Sequence, residues 1–100
     1  MKKIVITLII LFNFFIVNAQ LKEYNNAVQY YKWEDYDKAK EAIDKALTNE
    51  STKNEPKTWY YKGLIYNALY LSKDKSFKSL VPANCSDIVF EAYKKALVLN

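Results

Sequence analysis

The chain has 100 residues, and its 15 basic residues, all lysines, outnumber 11 acidic residues to give a formal net charge of +4. It has no histidine, one cysteine and one glycine. These absences remove the commonest general base at neutral pH, the commonest metal ligand, a thiolate cage and a glycine-rich phosphate loop. We therefore predict one small domain that is not an enzyme and binds no metal or cofactor.

The first 19 residues have the layout of a secretory signal peptide. Lys2 and Lys3 precede an apolar stretch over residues 4–17, and the segment ends on the small residue Ala19. A helix of this stretch would span about 21 Å, less than the roughly 30 Å hydrocarbon core of a bilayer. We expect cleavage after Ala19 and export to the periplasm or the extracellular space. A retained membrane anchor and a buried core helix are the alternatives.

Cleavage after Ala19 would leave 81 residues with 13 lysines and 11 acidic residues. This small excess, without arginine or a lysine cluster, gives little electrostatic reason to bind nucleic acid. In an oxidising compartment Cys85 has no second cysteine with which to form an internal disulfide. We expect it to be an inert, half-buried residue or the start of a helix; a reactive thiol or an intermolecular bridge is the alternative.

Apolar residues beyond Gln20 recur at helical spacing, which predicts an all-α fold of four helices. The first two helices have apolar faces formed by Tyr24, Ala27, Val28 and Tyr31, and by Ala39, Ala42, Ile43, Ala46 and Leu47. The last two have apolar faces formed by Trp59, Gly63, Tyr66 and Tyr70, and by Ile88, Val89, Ala92, Tyr93, Ala96 and Leu97. Asp35 is the predicted N-cap of the second helix, and Pro56 fits the first turn of the third.

The two halves of this helical region share a pattern. Ala27-x-x-Tyr30 aligns with Gly63-x-x-Tyr66 at an offset of 36 residues. Each second helix then has a small or β-branched residue, a larger one four residues on and an alanine after three more: Ala39, Ile43 and Ala46, and Val89, Tyr93 and Ala96. A mid-helix glycine costs about 1 kcal/mol relative to alanine, so we predict that another helix approaches Gly63 closely.

With these residues the sequence resembles the tetratricopeptide repeat (TPR) family, whose units are helix-turn-helix hairpins of about 34 residues. The resemblance is carried by Ala27, Tyr30, Ala39, Ile43 and Ala46 in the first unit and by Trp59, Gly63 and Tyr66 in the second. It implies two TPR-like hairpins, a fragment of an α-solenoid, with repeat 1 over residues 20–55 and repeat 2 over residues 56–100. A plain helical bundle is the alternative.

The second unit departs from the family pattern by an insertion. Tyr30 and Ala39 are 9 residues apart, whereas the matching Tyr66 and Val89 are 23 apart. We place the insertion at about residues 72–86, after a third helix that extends through Leu71. The rest is predicted to be a loop with one helical turn around residues 77–80.

The resemblance also implies a binding surface, because the first helices of TPR hairpins line a concave groove for peptides or extended protein segments. The matching positions here are Leu21, Tyr24, Val28, Tyr31, Lys32, Lys57, Tyr60, Leu64, Asn67 and Ala68, and the predicted groove consists of all of these except Leu21 and Ala68. Tyrosines offer rigid contact area, Asn67 can hydrogen-bond a peptide backbone twice, and Lys32 offers a positive charge. The alternative for each tyrosine is a packing role with its hydroxyl at the surface.

The resulting functional hypothesis is an exported scaffold that binds a protein or peptide partner and has no small-molecule substrate. The alternative is a structural or terminal module of a larger envelope protein or assembly. Such a module would stack on further repeats, or associate with itself, through the C-terminal face.

Overall fold

A computed structural model describes residues 21–100, and this part of the chain is all-helical, as predicted. It contains α1 (residues 21–32), α2 (Tyr36–Ala46), α3 (Pro56–Leu71), a 3₁₀ helix (Lys75–Leu80) and α4 (Cys85–Leu99). Residues 21–100 include no β-strand, and no helix among them is long and apolar enough to cross a membrane. The predicted signal peptide, residues 1–19, lies outside the described residues.

Helix α3 is the central element. It packs most extensively against α4 and also contacts α2 and the 3₁₀ helix. Tyr60, near the start of α3, lies beside Tyr93, near the end of α4, and the Cys85 thiol at the start of α4 donates a hydrogen bond to the Tyr66 carbonyl at 3.4 Å. The two helices are therefore antiparallel. Pro56 is the first residue of α3, as predicted, because its missing amide proton costs nothing there.

The core is built mainly from small residues and a few larger ones contributed by all four α-helices. Its fully enclosed members are Ala27, Ala39, Ala42, Ile43, Ala46, Ile65, Tyr66 and Cys85. Alanines allow the helix backbones to approach, and Tyr66 joins α3 to α2 by donating its hydroxyl proton to Asp44 at 2.7 Å. Burial, and then this hydrogen bond, raise the pKa of Tyr66 well above its usual range.

The connection between α2 and α3, residues 47–55, is held in place by side chains that donate hydrogen bonds to backbone carbonyls. Thr52 is fully buried and donates its hydroxyl proton to the carbonyl of Ala46, one of the last carbonyls of α2. The indole nitrogen of Trp59 donates to the Lys53 carbonyl at 2.7 Å. Trp59, predicted as a packing residue, thus also ties α3 to the turn that precedes it.

The predictions for the helix ends have mixed outcomes. Asp35 is the N-cap residue of α2, but its side chain makes no capping hydrogen bond, so that detail is wrong. Helix α3 does extend through Leu71, and a 3₁₀ helix occupies the predicted turn of the insertion. Asp74 caps this turn by accepting a hydrogen bond from the Ser76 amide at 2.9 Å, and hydrogen bonds from Ser76 lower the pKa of Asp74. Phe77 anchors the turn against the ring of Tyr36.

The predicted close approach at Gly63 is confirmed. A Cβ atom at this position would lie within 3.0 Å of three atoms of the Tyr93 ring. The absence of a side chain at Gly63 therefore lets α4 place an aromatic ring directly on the backbone of α3.

We predict that Gly63→Ala changes the free energy of unfolding with opposite signs in two backgrounds. In the wild type the new methyl group displaces the Tyr93 ring, and we expect a loss of about 1–3 kcal/mol, the usual cost of overpacking. In a Tyr93→Ala background the clash is gone, and the better helix propensity of alanine should give a gain of about 0.5–1 kcal/mol. Urea unfolding of the four proteins measures both effects. A loss of equal size in both backgrounds would contradict the contact.

Candidate protein-interaction surface

Tyrosine rings join α1 to α3. Tyr61 of α3 meets Tyr24 and Tyr31 of α1 edge to face, with ring centroids 5.8 and 6.0 Å apart, and it also contacts the ring of Tyr60 at 5.9 Å. Such edge contacts stabilise by about 0.5–1.5 kcal/mol each beyond the area that they bury. Burial, and then the neighbouring Tyr61, raise the pKa of Tyr24. Tyr61 is therefore the residue that fixes α1 against α3.

The contacts also give the relative direction of these two helices. The ammonium of Lys57, near the start of α3, lies 4.8 Å from the ring centroid of Tyr24, near the start of α1. Tyr31, near the end of α1, contacts Tyr61 and shares a hollow with Asn67, which is further along α3. Helices α1 and α3 thus lie side by side and run in the same direction.

An open hollow lies where the later parts of α1 and α3 meet, and we call it the α1/α3 hollow. Its volume is about 430 Å³, and its walls are Tyr31, Glu34, Tyr36, Leu64, Asn67, Ala68, Leu71 and Ser72. Three residues predicted for the groove, Tyr31, Leu64 and Asn67, are brought together here, all of them half-buried. The amide of Asn67 makes no hydrogen bond to the described residues, so its donors and acceptor are available.

The turn that places Glu34 at the hollow has an unusual backbone. Glu34 has φ of 63°, in the left-handed region that favours glycine. The amide of Asp35 donates to the Tyr30 carbonyl at 2.9 Å and the amide of Glu34 to the Tyr31 carbonyl at 3.0 Å. This pair of bonds is the Schellman motif, in which glycine usually takes the position that Glu34 occupies. A carboxylate is therefore held at the hollow at some cost in backbone energy.

A second groove, which we call the end groove, lies between the start of α3 and the end of α4. Its volume is about 600 Å³, and its walls are Pro56, Lys57, Tyr60, Tyr93, Ala96, Leu97 and Asn100. Two more predicted groove residues, Lys57 and Tyr60, lie here and not in the α1/α3 hollow. Burial, and then the neighbouring Tyr60, raise the pKa of Tyr93 in this wall.

The remaining predicted groove residues do not join either set of walls. Tyr24 is half-buried under Lys57 and beside Tyr61. Val28 is half-buried on α1, and Lys32 is exposed with no ion pair among residues 21–100. The structure thus divides the predicted surface into a hollow and a groove, with Tyr24 and Tyr61 packed between them.

The predicted packing residues fall into two groups by burial. Ala27, Ala39, Ile43, Ala46, Gly63 and Tyr66 are buried, whereas the partly exposed members are Tyr30, Trp59, Val89, Tyr93 and Ala96. Three of the five partly exposed members lie on α4. The predicted packing residues of α1 and α2 are thus more completely covered than those of α3 and α4.

Four residues of the hollow, and the residue that organises it, are not among the positions predicted from the sequence. Glu34 lies in the turn after α1 and Tyr36 is the first residue of α2, while Leu71 and Ser72 lie where α3 ends and the insertion begins. Tyr61 was not assigned to any face. Its spacing of four residues from both Lys57 and Ile65 is the signal that could have placed it against α1 and the core.

The surface carries no arrangement that points to metal chemistry. Among residues 21–100 no group of three or more cysteine, aspartate and glutamate side chains could hold a metal ion. Burial raises the pKa of the Cys85 thiol, which is fully enclosed, so it is an unreactive thiol at neutral pH. Comparison with protein-family models, curated proteins and solved structures finds no match for this chain. The family resemblance therefore rests on the residues quoted above.

We predict that the Tyr61 ring, and not its hydroxyl, stabilises the α1 contact. Tyr61→Ala should lower the free energy of unfolding by about 2–3 kcal/mol, since a half-buried ring and three ring contacts are lost. Tyr61→Phe should change it by less than about 0.5 kcal/mol. Tyr70→Ala is the matched control, because that ring is 56% exposed and makes no ring contact among the described residues; we expect a change within about 0.5 kcal/mol. Equal effects of the two alanine variants in urea unfolding would refute the assignment.

We also predict that Glu34→Gly stabilises the chain. Glycine adopts a positive φ without strain, so the free energy of unfolding should rise by about 0.5–1 kcal/mol. Lys32→Gly is the control, since Lys32 is exposed in the last turn of α1, where glycine should cost about 1 kcal/mol. Thermal unfolding distinguishes the two variants by the opposite directions of their melting-temperature shifts. A lowered melting temperature for Glu34→Gly would mean that its carboxylate contributes more than the backbone strain costs.

Proposed function

We propose that the protein is an exported, TPR-like scaffold that binds a protein or peptide partner on the side formed by α1 and α3. The observation that carries this proposal is the α1/α3 hollow, an open site of about 430 Å³ whose walls come from both helices. Its volume falls in the range of roughly 300–1,000 Å³ that is usual for ligand sites in proteins. Export rests on the signal-like layout of residues 1–19, and the two-repeat organisation rests on the shared residue pattern.

The chemistry of the hollow suits a segment of polypeptide. Leu64, Ala68 and Leu71 form the apolar part of the α3 wall, and Tyr31 and Tyr36 add aromatic rings to the walls. Aromatic walls of this kind give contact area with little loss of side-chain entropy. The hollow therefore has room for apolar side chains of a partner, flanked by surfaces that can hold its backbone.

Two polar groups would orient such a segment. Asn67 can donate to one backbone carbonyl and accept from one backbone amide, the pairing that an extended peptide offers. Glu34 places a negative charge at the same hollow. We therefore favour a partner segment with an apolar side chain next to a lysine, an arginine or a free amino group.

A non-catalytic role is part of the proposal. The titratable groups of the hollow are tyrosines and one carboxylate, and the chain has no histidine to act as a general base. The second candidate function is a structural or terminal module that stacks on further helices through the end groove. Its support is the apolar wall of that groove, where Leu97 is 75% exposed.

The test is an affinity capture from the exported fraction with quantitative mass spectrometry. We expect a partner whose recovery falls at least about tenfold with the double variant Leu64→Ala plus Asn67→Ala, since both changes remove contacts in the hollow. Tyr70→Ala, on an exposed part of α3 outside the hollow, is the matched control and should retain the partner. Circular dichroism checks that both variants keep the helical content of the wild type.

Two outcomes would decide against the hollow. Equal recovery of every captured protein by the double variant and by the wild type would remove the assignment of Leu64 and Asn67. Loss of the partner with Leu97→Asp but not with the double variant would move the binding site to the end groove and favour the structural module.

A further inference from the structure

Helix α4 carries an apolar stripe that the described residues cover only in part, because Tyr93 packs on α3 at Gly63 and Tyr60 whereas the stripe residues on either side of it are exposed. The stripe runs through Ser86, Phe90, Tyr93, Leu97 and Asn100, with successive spacings of four, three, four and three residues. Phe90 is 64% exposed and Leu97 is 75% exposed, although both are large and apolar. An adjacent side of α4, with Cys85 and Ala92, is buried against the rest of the chain.

This spacing is that of the a and d positions in a coiled coil, where two helices pack along a seam repeated every seven residues. Phe90 and Leu97 take the a positions, and Tyr93 takes the central d position between them. The polar residues Ser86 and Asn100 close the stripe at its two ends. Two heptads of this kind predict that α4 packs against another helix.

In the first half of the chain the matching helix face, on α2, is covered by another helix. Ile43 and Ala46 of α2 are fully buried in a cluster with Ile65 and Tyr66 of α3. At the matching positions of α4 are Tyr93 and Ala96, which stay partly exposed at the end groove. The partly exposed face of α4 is therefore of the kind that, in α2, is covered by a helix.

We propose that the occupant is α4 of a second copy of this chain, packed antiparallel across a two-fold axis near residues 91 and 92. The charges at the e positions, which directly follow the d positions, are complementary in this arrangement. The e positions hold Asp87 and Lys94, of opposite sign and on the same side of the stripe. Both are exposed, and neither takes part in an ion pair among residues 21–100.

Antiparallel pairing brings e positions opposite e positions. Asp87 of each copy then lies beside Lys94 of the other, which gives two symmetric ion pairs, and Phe90 of each copy packs against Tyr93 of the other. On the other side of the seam the g positions hold Val89, which packs partly against the chain's own core, and Ala96 in the wall of the end groove, and both are small enough for the two helices to approach. A parallel pair would instead set Asp87 and Lys94 beside these apolar residues, with no partner for either charge.

The area that two α4 helices can bury against each other indicates how tightly the dimer should associate. A stable interface buries about 800 Å² on each partner, and two heptads of one helix provide less. The dimer should therefore be weak, with a dissociation constant of about 10–100 μM, and should depend on salt through its ion pairs.

Sedimentation velocity of the full-length chain, measured over a concentration range that extends to about 1 mM, tests this pairing. The wild type should shift from monomer to dimer as concentration rises. Phe90→Asp should stay monomeric, because it places a charge in the central layer. Tyr70→Asp, at a ring of α3 that is 56% exposed and lies outside α4, is the matched control and should dimerise like the wild type.

The decisive set of variants exchanges the charges at the two e positions. Asp87→Lys and Lys94→Asp should each weaken the dimer at least about fivefold, since each replaces two attractive pairs by two repulsive ones. An equimolar mixture of these two variants should dimerise again, because one chain then carries a positive charge at both e positions and the other carries a negative charge at both. The double variant, which has both changes in one chain, should also recover.

Three results would overturn the proposal: a wild type that remains monomeric up to about 1 mM, a Phe90→Asp variant that dimerises normally, or single charge variants that are not rescued by mixing. None of these measurements involves the α1/α3 hollow. A failure of self-pairing is therefore distinguishable from a failure of the proposed partner binding.

Discussion

Helix α3 is the element on which the other helices pack, and its sequence explains why it can fill that place. It presents the Tyr61 ring to α1, the Tyr66 hydroxyl to Asp44 of α2, and the bare backbone of Gly63 to α4. A helix that offers a packing group on nearly every side is a central helix and not an amphipathic surface helix. Both candidate surfaces, the α1/α3 hollow and the end groove, have α3 as a wall.

Much of the fold was predictable because its signals are local. Pro56 indicates the start of α3, the apolar spacing indicates each helix, and Gly63 indicates a close approach without naming the helix that makes it. The candidate site was less predictable. The resemblance treats the first helices as one continuous surface, whereas Tyr61 packs under Tyr24 and Tyr31 and separates the hollow from the end groove. That packing is a contact between distant parts of the chain, and no short pattern encodes it.

The chain has no arginine, and lysine side chains make the cation–π contacts with its aromatic rings. Lysine ammonium groups lie over several aromatic faces, with Lys57 over Tyr24 at 4.8 Å and Lys62 over Trp59 at 5.1 Å from the ring centroid. At exposed sites such contacts contribute about 0.5–1 kcal/mol each. The long lysine side chains also cover apolar ring surface while the charge stays in water. This explains how a domain with so many tyrosines keeps most of them half-buried and remains charged outside.

The two proposed surfaces are compatible, and their separation has a physical consequence. The hollow has no wall from α4, and the self-pairing stripe has no residue from α1, so occupation of one leaves the other open. A pair of chains joined through α4 therefore carries two hollows at a fixed separation. A partner with two suitable segments would bind the second hollow at the high effective concentration set by the first, and its apparent affinity could rise by a factor of about 10²–10⁴ without any new contact. A weak dimer is sufficient for this gain, because a bound two-segment partner in turn holds the two copies together and raises the effective strength of the α4 contact by the same coupling.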